Sequence, residues 1–158
     1  MKTKNSLLNK VVIVSFILYL FLLIWIIVFK FRLDIRDLRY LRSINFIPFK
    51  ENEIREILVN ILLFIPYGMY LRELNKKKSL TVGIIILTSF VFEVLQYILH
   101  IGISDINDMM MNTLGGILGI LLISIIEKKR ENNKVLSNLL KYLLIILPFI
   151  MFLLVFFL

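Results

Sequence analysis

The sequence predicts an all-α fold, a polytopic membrane bundle with five transmembrane helices, and three observations carry that prediction. Of 158 residues, 59% are hydrophobic and the mean hydropathy is +0.90, well above the roughly 45–50% apolar content of a soluble domain. Uncharged or nearly uncharged runs recur at the ~20-residue length that crosses a bilayer. Lys and Arg gather in short clusters between those runs, as orientation signals do. The absence of cysteine and the presence of one histidine, His100, exclude disulfide frameworks, thiolate metal sites and multi-histidine sites within one chain. No cofactor and no metal are expected. The formal charge of +8 resides in the inter-span clusters, so the expected partner is the lipid bilayer and not nucleic acid.

One domain over residues 1–158 is expected, with helices at about 11–29, 54–71, 80–99, 109–126 and 139–158. Val11 to Phe29 carries no charge, and Leu80 to Leu99 carries only Glu93. Met109 to Ile126 and Tyr142 to Leu158 are uncharged. The second span holds Asn60, Pro66 and Gly68, and its apolar stretch from Ile57 to Leu71 is short, so its start is placed near Ile54. The first span follows Lys2, Lys4 and Lys10, but its apolar stretch exceeds that of a secretory signal and no small-residue cleavage site follows. It is expected to be retained. Twelve Lys and Arg lie on one side of this scheme, in the N-terminal head, the second loop and the fourth loop, against seven, all in the first loop, on the other. That count places the N-terminus in the cytoplasm and the C-terminus outside.

In the first loop Phe31, Ile35, Leu38 and Leu41 interleave with Arg32, Arg36, Arg39 and Arg42. The spacing predicts a short amphipathic helix in the headgroup layer, followed by an aromatic turn from Ile44 to Phe49. Lys76 to Lys78 and Glu127 to Glu131 read as topological anchors. No repeat of 20–50 residues is visible.

Polar residues inside the spans carry the functional signal. Glu93, Gln96 and His100 share one face of the third helix, and an ionised carboxylate in hydrocarbon costs about 2.5 kcal/mol or more. Glu93 must therefore be protonated, paired or wet. Asp105, Asp108 and Asn112 share a face at the start of the fourth helix, with Ser104 a candidate N-cap. Gly115 and Gly119 have the spacing that lets helices approach closely, with Gly116 beside them, and a homo-oligomer through them is conceivable. Asn60 lies near the start of the second helix. Because these helices alternate in direction, Asn60, Glu93, Gln96, Asp105, Asp108 and Asn112 all fall at one membrane level, the outer one. They are the candidate ligand-binding set. The plainer readings are helix-start chemistry for the aspartates, interhelical hydrogen bonds for Asn60 and Gln96, and packing for the glycines.

The run from Asn60 through Pro66 to Gly68 resembles the signature of the VanZ family. So do Phe92-Glu93-x-x-Gln96 and the stretch from Gly102 through Asp105, Asp108 and Asn112 to Gly115, Gly116 and Gly119. Trp25, Lys30, Asn45 and Pro48 extend the resemblance, which covers about residues 20 to 120. Ser104 departs from it, since many members carry an arginine or an aromatic there. The resemblance implies a multi-pass protein of the bacterial cell membrane associated with resistance to teicoplanin, a lipidated glycopeptide. The function expected is binding of an envelope lipid or lipidated ligand in the outer polar pocket. Two alternatives stand beside it: an envelope-lipid-modifying enzyme using Glu93, Asp105 and Asp108 as acid and base, and a transporter or structural partner.

Overall fold

The structure is a computed structural model that describes residues 2–29, 41–45, 54–75, 77–99, 101–130 and 133–157. The chain runs α1 (Lys2–Phe29), β1 (Leu41–Asn45), α2 (Ile54–Leu74), α3 (Lys78–Leu99), β2 (Ile101–Asp105), α4 (Ile106–Arg130) and α5 (Lys134–Phe157). All five helices are long and apolar enough to cross a membrane, as the hydropathy pattern predicts. Each extends beyond its apolar run, α1 by starting at Lys2 and α4 by continuing to Arg130. A helix keeps bonding its own backbone where the side chains turn polar, so hydropathy marks the membrane-embedded part and not the helix end.

The helix ends are fixed locally. Asn75 stops α2: its backbone N–H reaches the Leu71 carbonyl, its side-chain oxygen accepts the Lys77 N–H, and its own carbonyl accepts from Arg72. Asn133 caps α5 through Leu136 N–H at 3.1 Å. At α4 the capping oxygen is Asp105 Oδ1, which accepts the Asn107 N–H at 2.9 Å. Ser104, the expected cap, instead lies within β2, which moves the cap one residue on.

Side-chain pairs set the directions. Asn60 meets Asp108 near the start of α2 and α4, and Arg72 meets Glu127 near their ends, so these two helices run parallel. Asn9 meets Lys141, and Ser15 meets Leu144, so α1 and α5 are parallel as well. The α2–α4 seam is the most intimate in the bundle. A Cβ on Gly68 would fall 2.1 Å from the Gly116 carbonyl oxygen, one on Gly115 2.3 Å from that of Ile61, and one on Gly119 2.1 Å from that of Ile65. Only hydrogen at these positions permits the backbone approach. The glycine face that could have joined two chains is thus occupied by α2 of the same chain. On its other side Gly116 receives Ile85 of α3.

Two elements depart from the sequence reading. Leu41, expected in the amphipathic helix, belongs to β1, and the loop before α4 contains β2. The strands pair in parallel with Leu41 opposite Ile101 and Asn45 opposite Asp105. The long crossover that parallel pairing requires is the α2–α3 hairpin. The remainder of the expected amphipathic helix, residues 31–40, and the turn over 46–49 lie outside the described residues.

Pro66 and Pro148 lie within α2 and α5. A proline lacks the N–H that would bond the carbonyl four residues back, which for Pro148 is that of Leu144. Ser15 Oγ lies 3.1 Å from the Leu144 carbonyl oxygen, and the Tyr70 hydroxyl donates to it. Hydroxyls from α1 and α2 thus replace the missing backbone bond, as hydrocarbon surroundings require. One turn before Pro66, Tyr19 of α1 donates to the Leu63 carbonyl of α2, a second hydroxyl-to-backbone bond between helices.

Two predictions follow from these contacts. Gly119→Ala is expected to cost at least the upper part of the ~1–3 kcal/mol of overpacking. Gly83→Ala, which meets nothing within 4 Å, should gain up to about 1 kcal/mol from helix propensity. Thermal unfolding in mild detergent measures both. Ser15→Ala combined with Tyr70→Phe should cost about 1–3 kcal/mol by stripping a buried carbonyl of its donors. The loss should shrink in a Pro148→Ala background, where the backbone N–H returns, and a double-mutant cycle reads this coupling.

Candidate functional site

The face of α3 that turns into the bundle is unusually polar. Thr81, Ser89, Glu93 and Gln96 are buried there alongside Ile85 and Phe92. Opposite it, α4 contributes Asn107, Asp108 and Asn112, and α2 contributes Asn60, all buried. Apart from Thr81, which lies in the first turn of α3, these side chains gather at one end of the bundle. This is the end where α1 finishes and α2 and α4 begin.

The contacts form a chain of hydrogen bonds. Asn60 Nδ2 donates to Asp108 Oδ1 at 2.7 Å. One helical turn deeper, Asn112 Nδ2 donates to Ser89 Oγ at 3.1 Å, and Ser89 Oγ is within 3.5 Å of the Met109 carbonyl. A turn along α3, Glu93 Oε2 accepts the backbone N–H of Asp105 at 2.9 Å. Glu93 thereby grips the junction between β2 and α4, the same residue whose side chain caps α4. Of the three states open to an intramembrane glutamate, this is a hydrogen-bonded one. Gln96 Nε2 donates to the Ile27 carbonyl of α1 at 2.8 Å, which adds a fourth helix to the cluster.

These bonds orient the amides. Gln96 gives an N–H to Ile27, so its Oε1 points away from that acceptor. Asn112 gives an N–H to Ser89, which has its own acceptor in Met109, so the carbonyl of Asn112 is also left over. Both residues are 0% exposed. Gln96 Oε1 and Asn112 Oδ1 are buried without a hydrogen-bond partner among the described residues. A buried carbonyl left this way costs about 1–3 kcal/mol, and a donor supplied from outside the chain would recover it.

All six candidate ligand-binding residues are in this cluster, with Asp105 half-buried and the others buried. Among the residues expected to be structural, Pro66 lies within α2, and Gly68, Gly115, Gly116 and Gly119 build the α2–α4 seam. Trp25 is 41% exposed on the outside of α1. Asn45 is paired through its backbone with Asp105, while Lys30, Pro48 and His100 lie outside the described residues. Sequence reasoning missed Ser89 and Asn107, although Ser89 stands four residues before Glu93 on the same face. It also read Arg72 and Glu127 as topological anchors only. They pair at 2.6 Å, with side chains 9% and 25% exposed, and bind α2 to α4 at the opposite end. Among the described residues no group of three or more His, Cys, Asp or Glu could hold a metal ion.

Five membrane-length helices with a polar cluster at one end define a polytopic membrane protein. The VanZ/LLP1 family model matches residues 16–127, a stretch that includes every residue of the cluster. The chain is 34% identical over 135 residues to Protein VanZ of Enterococcus faecium, covering 82% of this chain and 83% of that protein. The chain belongs to the VanZ/LLP1 family. No solved structure matches it.

The Glu93 contact separates shape from charge. Glu93→Gln retains an oxygen for the Asp105 N–H, whereas Glu93→Leu does not. Hydrogen exchange at the Asp105 amide should stay slow in the first and accelerate at least about tenfold in the second, the equivalent of a lost bond of ~1.4 kcal/mol.

Proposed function

We propose that the cluster at this end of the bundle binds the polar headgroup of a membrane-anchored ligand, an envelope lipid or a lipidated glycopeptide. By doing so the protein contributes to teicoplanin resistance, limiting the drug's membrane-anchored access to cell-wall precursors. The observation that carries the reading is the pair of buried amide oxygens, Gln96 Oε1 and Asn112 Oδ1, that lack a donor among the described residues. Their amide nitrogens are committed to protein acceptors, so what the site offers a ligand is acceptor capacity. Carboxylates at Glu93, Asp105 and Asp108 add to it. A headgroup rich in hydroxyl, amide or amine donors fits that chemistry.

Membrane level is the second support. The cluster lies at the end of the spans, where a headgroup sits, and the Lys and Arg count makes that end the extracytoplasmic one. A ligand with an acyl anchor is concentrated there, while an unlipidated one is not. This difference accounts for selectivity between teicoplanin and vancomycin.

The test is the inhibitory concentration of teicoplanin and vancomycin in a susceptible Gram-positive host expressing the wild type, Glu93→Gln or Asp105→Asn at equal membrane levels. Both substitutions keep hydrogen-bonding oxygens in place and remove charge. The wild type should raise the teicoplanin value severalfold with little change for vancomycin, and each variant should return it towards that of the host. Resistance that is unchanged in both variants would sink the reading.

A further inference from the structure

A groove of 460 Å³ runs between α1 and α5, lined by residues that include Val14, Leu18, Phe21, Ile145, Pro148 and Phe149. Its single polar lining residue is Ser15, whose hydroxyl is already engaged with Tyr70 and the Leu144 carbonyl. The walls therefore suit a hydrocarbon chain and offer nothing to a polar one. Along α1 the lining extends from Val11 to Leu22, roughly 17 Å at 1.5 Å per residue. That is about half of the ~30 Å hydrocarbon core, or one leaflet.

The mouth of the groove is cationic. Neither α1 nor α5 contains an Asp or Glu, and their lysines all fall in the polar turns at one end. Lys10 directly precedes Val11, where the lining begins. Lys141 stands one helical turn before Ile145, and its Nζ is held by Asn9 Oδ1 at 2.6 Å across the seam between the helices. An ammonium fixed at the edge of a leaflet-deep apolar groove is a site for a headgroup phosphate with its acyl chain below. This end is opposite to the polar cluster, so the inference stands apart from the reading given for that cluster.

We infer that the α1–α5 groove is a binding site for one anionic phospholipid of the leaflet at the N-terminal end, its phosphate at Lys10 and Lys141 and an acyl chain along Val14, Leu18 and Phe149. The complementary charge selects an anionic headgroup over a zwitterionic one. The groove, and not a general attraction to basic loops, sets the stoichiometry at one.

Native mass spectrometry of the full chain released from mild detergent, with phosphatidylglycerol or phosphatidylcholine added, tests this. The wild type should retain one phosphatidylglycerol per chain and little phosphatidylcholine. The double substitution Lys10→Gln/Lys141→Gln, at exposed or half-buried positions, should weaken retention about thirty-fold, the combined share of two lysines near an anionic surface. Val14→Trp, which fills the groove, should abolish the single tight site while thermal unfolding without added lipid stays unchanged. Equal retention of the two lipids, or phosphatidylglycerol binding unaffected by either change, would overturn the inference. So would a dimer that the filled groove dissolves and added phosphatidylglycerol does not compete with, since the occupant would then be a second copy of the chain.

Discussion

The close approach of α2 and α4 governs the arrangement of the other helices. In hydrocarbon two helices gain little from burying apolar side chains against each other instead of lipid, so association depends on contact at short range and on polar pairs. Gly68, Gly115 and Gly119 provide the first by letting backbones meet. Asn60 with Asp108 and Arg72 with Glu127 provide the second, one pair at each end. The two pairs also lock the register, because sliding one helix by a turn would separate both pairs and leave buried Asn60, Arg72 and Asp108 facing apolar neighbours. With α2 and α4 fixed, Gly116 leaves room for Ile85, and this seats α3 where Ser89 reaches Asn112 and Glu93 reaches the head of α4.

The remaining two helices are attached by a different means. α1 and α5 contain no Asp or Glu, and what ties them to the rest is hydrogen bonding to backbone carbonyls, with Gln96 of α3 donating to Ile27 of α1. The Leu144 carbonyl, deprived by Pro148, is served by Ser15 and Tyr70. Tyr19 serves the carbonyl of Leu63 beside Pro66. The acceptor that Pro148 creates is filled by hydroxyls of neighbouring helices, and in filling it they are positioned. The surrounding rings of Phe16, Tyr67, Phe64 and Phe92 stack or meet edge-on around these hydroxyls, so the polar repairs are sealed from lipid.

The two ends of the bundle differ in chemistry. One gathers carboxylates and amides whose nitrogens are spent on the protein itself, leaving acceptors. The other gathers lysines and the Arg72–Glu127 ion pair that closes the α2–α4 seam. A bundle built only for stability would not bury so many polar side chains at one level, since each must be matched in a medium that supplies no water. The family match covers every residue of the polar cluster.

Hydropathy and the alternation of spans determined the helix count, the class of protein and the collection of the polar residues at one end of the bundle. These depend on local composition and on the alternating direction of successive spans. Residue spacing also placed Asp105, Asp108 and Asn112 on one face and marked Gly115 and Gly119 as close-approach positions, since helical periodicity is a property of the single helix. Partnership was beyond its reach. That Asn60 faces Asp108, that Gln96 crosses to Ile27, and that Arg72 binds Glu127 when it looked like a surface anchor all depend on which helices are neighbours. The pairing of Leu41–Asn45 with Ile101–Asp105 spans a whole helical hairpin, and five-residue strands leave no periodicity strong enough to announce it. It also moved the α4 cap from Ser104 to Asp105. Which acceptors remain without donors follows only after every partner has been assigned, and that assignment is made by the packing of α2 against α4, not by any segment of the sequence.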